Sequence, residues 1–212
     1  MNETSRCVVI AGSPEADAAF IKSVVRDGDF VICADRGVAA AQAAGVAVDL
    51  IVGDFDSFTG ALPEGAEVIR LTPKKDDTDT LHAIQTALSR SCRRFVLLAA
   101  TGGRLDHSFA NLCMLEYIAQ RGAEGIILSK NEEIRCLTEG SYDFSGRLGQ
   151  TFSVFPFGCQ TAVLTYTGAE YPLERGSLTH AEAMGISNVF TAERASVTVH
   201  SGTVLVFCTA GQ

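Results

Sequence analysis

Phe95-Val96-Leu97-Leu98 runs into Thr101-Gly102-Gly103-Arg104-Leu105-Asp106-His107, and a stripe of Leu112, Leu115 and Ile118-Ala119 carries the chain to Gly122. Ile126-Ile127-Leu128 is then apolar again. A short, wholly apolar run reads as a strand covered on both faces. Apolar residues three and four apart read as one face of a helix, here stopped by glycine. The segment is therefore a strand–helix–strand unit, and two parallel strands joined through a helix cross over right-handed.

The same alternation extends in the N-terminal direction. Strand signals recur at Cys7-Val8-Val9-Ile10, Phe30-Val31-Ile32-Cys33, Leu50-Ile51-Val52 and Val68-Ile69-Arg70-Leu71. Between them Pro14 suits the first turn of a helix running to about Asp27. Val38 to Ala44 is alanine-rich and stops at Gly45, and Leu81, Ile84 and Leu88 form a further stripe. Alternating strands and helices predict an α/β parallel-sheet N-terminal domain over residues 1–130. From Glu133 onward the pattern is strands and turns with little helix. Phe152 and Val154 alternate with polar residues until Pro156-Phe157-Gly158, and Val163-Leu164 follows. Val197-Thr198-Val199-His200 and Thr203-Val204-Leu205-Val206, separated by Ser201-Gly202, predict a hairpin. Residues 131–212 thus read as a small all-β, antiparallel C-terminal domain.

Composition narrows the function. The chain has 212 residues, 47% apolar and 20% charged, the profile of a globular protein. Its net charge of −8 opposes binding to a nucleic-acid backbone. A phosphate ligand would need a cation to offset the chain's own carboxylates. The apolar runs are far shorter than the roughly 20 residues of a membrane span, and the N-terminal run ends at Gly12-Ser13-Pro14, unlike a signal peptide. The seven cysteines include no C-x-x-C pair, which favours reduced, mostly buried thiols and a cytoplasmic location.

Acidic and glycine-rich clusters follow the strands: Ala34-Asp35-Arg36-Gly37, Gly53-Asp54-Phe55-Asp56-Ser57 and Thr101-Gly102-Gly103-Arg104-Leu105-Asp106-His107. A fourth, Lys75-Asp76-Asp77-Thr78-Asp79, opens a helix. In an open α/β sheet the ligand crevice lies outside the carboxyl ends of the strands, so these clusters share one predicted edge. Crowded carboxylates repel, and magnesium relieves that by binding one or two of them together with phosphate oxygens. Gly102-Gly103 permits close backbone approach to a phosphate, and Arg104 adds a matching fork of donors. Each cluster also has an ordinary reading: Asp76 as a helix N-cap, Asp54 and Asp56 as a solvated turn, His107 as a capping or core histidine. Neither a P-loop nor a dinucleotide fingerprint is present.

Asp35-Arg36-Gly37, Gly53-Asp54-Phe55-Asp56-Ser57, Lys75-Asp76-Asp77-Thr78-Asp79, Gly102-Gly103-Arg104-Leu105-Asp106-His107 with Asn111, and Gly185-Ile186-Ser187-Asn188, in that order, resemble the thiamine pyrophosphokinase family across essentially the whole chain. Arg36 stands where the family commonly has glycine, and tryptophan is absent. The resemblance implies transfer of a pyrophosphoryl group from ATP to the hydroxyl of thiamine, giving thiamine diphosphate and AMP. It also implies an N-terminal α/β catalytic domain, a sandwich-like C-terminal β domain that binds thiamine, and a homodimer with active sites between subunits. Asp54, Asp76 and Asp79 would then hold magnesium, and Asp56 would share it or accept the thiamine proton. The nucleotide and its phosphates would fall to Asp35, Ser57, Lys75, Thr78, Gly102, Gly103, Arg104, Asp106 and His107. Asn111, Ser187 and Asn188 would contact substrate, the last two reading the aminopyrimidine. Phe190 would replace the indole with which some relatives cover the thiamine ring. Two rivals remain on the residues alone: a magnesium-dependent phosphohydrolase, which would release phosphate without thiamine, and a noncatalytic nucleotide sensor, which would bind ATP without turnover.

Overall fold

A computed structural model describes residues 6–54, 60–72 and 78–209 of the chain. The chain divides into two compact units, Met1–Lys130 and Asn131–Gln212.

The first unit carries strands β1 (Arg6–Ile10), β2 (Phe30–Ala34), β3 (Leu50–Gly53), β4 (Glu67–Arg70), β5 (Arg94–Leu98) and β6 (Glu124–Leu128). Their order is β6-β5-β1-β2-β3-β4, and every pairing is parallel. The helices are α1 (Ala18–Val24), α2 (Gly37–Ala44), α3 (Asp79–Ser89) and α4 (Leu105–Ala119). Val8, Ile10, Val31 and Cys33 pack against Ile21 of α1 and Val38 and Ala41 of α2. The alternate residues Cys7, Val9 and Ile32 are also fully buried. Successive side chains point to opposite faces, so these meet the other layer, where α3 contacts β1, β2 and α4. Strands buried on both faces must be apolar throughout, which is why they show so clearly in the sequence.

Two local expectations shift. Pro14 lies outside α1, which starts at Ala18 with Asp17 as its cap, accepting from the N–H of Phe20 at 3.0 Å, and ends at Val24. On α3 the buried face is Thr80, Ala83, Ile84 and Ala87, so Leu81 and Leu88 sit at its margins.

The second unit is a two-sheet sandwich with no helix among its described residues. Its strands are β7 (Glu132–Leu137), β8 (Gly140–Asp143), β9 (Thr151–Pro156), β10 (Thr161–Thr167), β11 (Leu173–Thr179), β12 (Asn188–Val189), β13 (Ser196–Ser201) and β14 (Val204–Thr209). One sheet is ordered β12-β9-β14-β7, the other β11-β10-β13-β8. The predicted hairpin is absent. β13 pairs with β10 and β8, whereas β14 pairs with β7 and β9. The Ser201-Gly202 link therefore passes the chain between the two sheets. Val197 and Val199 from one strand and Val204 and Val206 from the other bury themselves in one shared core. Alternation shows that a face is buried, and leaves open which strand lies alongside. At the centre of this core Phe190 stacks on Phe152 at 4.2 Å and on Phe144 at 5.6 Å. It is 1% exposed and cannot cover a ligand ring.

Candidate active site

The order β6-β5-β1-β2-β3-β4 places the reversal of strand order between β1 and β5, where an open parallel sheet leaves a crevice. A cleft of about 700 Å³ opens there. Its walls come from the loops after β1 (Gly12, Ser13, Pro14), β2 (Asp35, Arg36) and β5 (Gly102, Arg104), and from the openings of α3 and α4.

Three carboxylates meet at this edge. Asp35, Asp54 and Asp79 each offer an oxygen within 4.8 Å of the others. Each arrives from a different element. Asp54 follows β3, and Asp79 is the first residue of α3, where the helix dipole favours an anion. Asp35 follows β2 with its main-chain N–H bound to Val52 O at 2.9 Å and a left-handed φ of 44°. A non-glycine residue in that region is strained, and Asp and Asn tolerate it best. Gly37, two residues on, lies so close to β1 that a Cβ would meet Ile10 O at 1.9 Å. This packing holds the Asp35 turn against the sheet edge. Arg36 takes a right-handed helical conformation ahead of α2, so the turn accommodates a side chain there.

Asp35 Oδ1 is buried without a hydrogen-bond partner. Its carboxyl is pushed above the ordinary range, chiefly by desolvation and then by the neighbouring Asp79 and Asp54 charges, against the lowering effect of a backbone hydrogen bond from Arg36. An orphaned carboxylate oxygen among two further acids is a poor arrangement for an empty protein. It suits a hard divalent cation, which takes oxygen ligands. The sequence placed Asp35 among phosphate-binding residues, whereas the geometry sets it beside Asp54 and Asp79. Asp56, Ser57, Lys75 and Asp76 lie outside the described residues.

The opposite wall is built by the turn into α4. Gly102 and Gly103 have φ of 97° and 65°. Asn111 Nδ2 donates to Ala100 O at 2.7 Å, and Ser108 Oγ accepts from Gly102 N–H at 3.2 Å, so Asn111 orders this loop. Arg104 pairs bidentately with Asp106, and the His107 N–H also donates to Asp106, at 3.0 Å. Thr78, expected at the phosphates, caps α3 by accepting from Leu81 N–H at 3.2 Å and also lines the cleft with Asp106, His107 and Asn111.

In the second unit Ser187 is exposed with φ of 57°, and its N–H donates to Ser153 Oγ at 3.0 Å. Asn188 is 6% exposed. Its Oδ1 accepts from Tyr171 N–H at 3.0 Å and from Val189 N–H at 2.9 Å, and its Nδ2 donates to Tyr171 O at 2.8 Å. Asn188, expected to read a heterocycle, has a structural duty here, because its amide clamps the Tyr171 main chain. The Tyr171 side chain itself is 65% exposed. No sequence signal marked Tyr171, since its partner lies seventeen residues away.

A parallel α/β unit with a cation-competent acidic cleft at its switch point, joined to a β-sandwich unit, has the parts of a kinase-type transferase. The family model for the catalytic domain of thiamin pyrophosphokinase matches residues 21–127, and that for its vitamin B1 binding domain matches residues 134–204. The chain belongs to the thiamin pyrophosphokinase family. It is 25% identical to the thiamine pyrophosphokinase of Bacillus subtilis (strain 168), over 93% of this chain and 95% of that protein. The crystal structure of thiamine pyrophosphokinase from Bacillus subtilis superposes with a TM-score of 0.86 at 23% identity, over 98% of this chain and 100% of the other. Thiamin pyrophosphokinase from Candida albicans superposes with a TM-score of 0.79 at 15% identity, over 98% and 89%.

Proposed function

We propose that the chain transfers the terminal pyrophosphoryl group of ATP to the hydroxyl of thiamine, releasing AMP, with magnesium as cofactor. The observation that carries the metal-dependent part is the orphaned Asp35 Oδ1 beside Asp54 and Asp79. These three carboxylates would hold the ion, and Asp76 remains a further candidate from the sequence. Bound magnesium would neutralise charge on the phosphate oxygens.

The remaining work falls to the chain's own groups. Arg104 offers a guanidinium fork matched to phosphate oxygens, and the Gly102–Gly103 turn, held by Asn111 and Ser108, sets its position. The thiamine hydroxyl oxygen forms a bond to the β-phosphorus as the bond from that phosphorus to the AMP oxygen breaks. The hydroxyl proton passes to a carboxylate, for which Asp56 is the proposed acceptor. Little covalent chemistry is required of the protein, because positioning and charge balance supply most of the rate.

Tyr171 takes the ring-covering part in place of Phe190, since it is exposed and its main chain is clamped by Asn188. Ser187, on the exposed turn, remains a proposed substrate contact. A cytoplasmic homodimer in which each β unit completes the site of its neighbour is the assembly this reading entails.

Incubation with ATP, Mg²⁺ and thiamine, with products identified by mass, tests the reaction. Thiamine diphosphate and AMP should appear in equal amounts, and AMP should not form without thiamine. Thiamine-independent release of phosphate would establish a hydrolase instead.

A further inference from the structure

The turn proposed to receive phosphate is already occupied by the chain's own carboxylates. Gly103 N–H donates to Glu15 Oε1 at 3.0 Å. Glu15 lies in the loop between β1 and α1, 88 residues away in sequence. The two loops interlock. Ser13 N–H donates to Ala99 O at 3.0 Å, and the Glu15 N–H is held by Ser13 Oγ at 3.1 Å. A Cβ on Gly102 would meet Glu15 Oε2 at 2.6 Å, and one on Gly103 would meet Pro14 Cγ at 2.7 Å. Positive φ favours glycine at both positions, and at Gly103 the Pro14 ring adds a steric reason.

Arg104 is in the same state. Its fork is taken by Asp106, with both side chains largely exposed. Two carboxylates thus sit on the two anion-receiving groups of one turn. A carboxylate presents the charge and paired oxygens of a phosphate edge. Exposed pairs of this kind contribute little net stability, so exchange for a more highly charged ligand costs little.

We propose that Glu15 is a positioning and affinity-setting residue: an internal anion that keeps the Gly102–Gly103 turn formed in the free protein and yields the Gly103 amide to a phosphate group of the bound nucleotide. The proposal rests on the reading of the Gly102–Gly103–Arg104 turn, beside the cleft, as a nucleotide phosphate site. It assigns to Glu15 a competition with ligand.

The test uses the full chain and the variants Glu15→Ala and Glu15→Gln, with inorganic pyrophosphate and ATP as separate ligands in the presence of Mg²⁺. Calorimetric titration at about 0.5 M salt suppresses the influence of distant charge, since the screening length there is only about 4 Å. Glu15→Ala should bind both ligands about fivefold more tightly, the scale expected for losing a competitor that makes one weak exposed bond. Glu15→Gln, which keeps an acceptor without the charge, should fall between. The Gly103 amide resonance gives an independent readout. It should differ between wild type and Glu15→Ala when free, and should converge once either ligand saturates. Equal or weaker binding by Glu15→Ala, or resonances that stay apart with ligand bound, overturns the proposal. If wild type binds neither ligand, the phosphate-site reading falls and takes this one with it. If wild type binds both and Glu15 changes nothing, only the role of Glu15 is lost.

Discussion

Asp35 concentrates the conflict in this molecule. Its backbone is left-handed, one carboxylate oxygen is buried without a partner, and two acids lie within reach. Its carboxyl is raised by desolvation first and by Asp79 and Asp54 after that. The folded protein therefore holds the Asp35 proton more tightly than the unfolded chain does. Metal-free protein should be relatively stabilised below the ordinary value of 3.8, and should lose that contribution as pH rises from there through the raised folded value. Asp35→Asn removes the charge and keeps a residue that tolerates positive φ. In chelator-treated samples this variant should melt at a higher temperature than wild type near neutral pH, and the gap should close in acid. Its turnover with ATP, Mg²⁺ and thiamine should fall by about a hundredfold if Asp35 is the proposed metal ligand. Melting curves that track wild type at every pH would remove Asp35 from the acidic cluster. The sequence showed the acid-rich loops but gave this role to Asp54, Asp76 and Asp79. The position of Asp35 depends on the Asp35–Arg36 turn and on how closely Gly37 approaches β1, neither of which leaves a periodic trace.

At the scale of elements, α2 shows how one helix uses glycine in two ways. At its start, a Cβ on Gly37 would meet Ile10 O at 1.9 Å. At its end, Gly45 adopts φ of 64° with nothing within 4 Å of an added Cβ. Gly37→Ala should therefore cost about 3 kcal/mol, because neither the β1 backbone nor the helix can yield cheaply. Gly45→Ala meets only the left-handed strain, about 1 kcal/mol. Urea unfolding of both variants checks the ranking, and equal costs would mean that α2 can slide away from β1. The Gly45 stop was readable because glycine at a helix end is a local signal. Strands β1, β2, β3 and β5 were readable for a related reason, since burial on both faces forces runs of apolar residues. Local signals failed where the outcome depended on distant partners. Ser201-Gly202 has the composition of a hairpin turn, yet β13 and β14 belong to different sheets. Pro14 looked like a helix start, but the capping bond of Asp17 to the Phe20 N–H sets the beginning of α1 at Ala18.

For the whole molecule, the question is what the β unit adds to an α/β unit that already holds the acidic cluster and the glycine turn. On the β unit, Tyr171, Met184 and Ile186 are 65%, 72% and 59% exposed. Asn188 fixes the Tyr171 main chain by two hydrogen bonds. Asn188→Ala should consequently lower the melting temperature and raise the KM for thiamine together, because it releases Tyr171 and takes the side-chain partner from the part-buried Tyr171 N–H and carbonyl. Tyr171→Lys should separate the two effects. Its side chain is in water, so the fold should be retained, but a cation replaces the ring proposed to cover the cationic thiamine. Thiamine use should fail while ATP binding stays at the wild-type level. This variant also tests whether the site is shared between subunits. Asp54→Asn disables the α/β contribution of its own chain, and Tyr171→Lys disables the β contribution. In the proposed homodimer, random exchange of equal amounts would give mixed dimers in which one of the two sites receives both intact contributions. About a quarter of all sites should then be intact, by the statistics of a twofold dimer. Activity should return from near zero to about that fraction as subunits exchange, followed by native mass spectrometry of the mixed species. Confirmed exchange with no return of activity would confine the whole site to one chain, and the exposed Tyr171 side chain would then need a different partner.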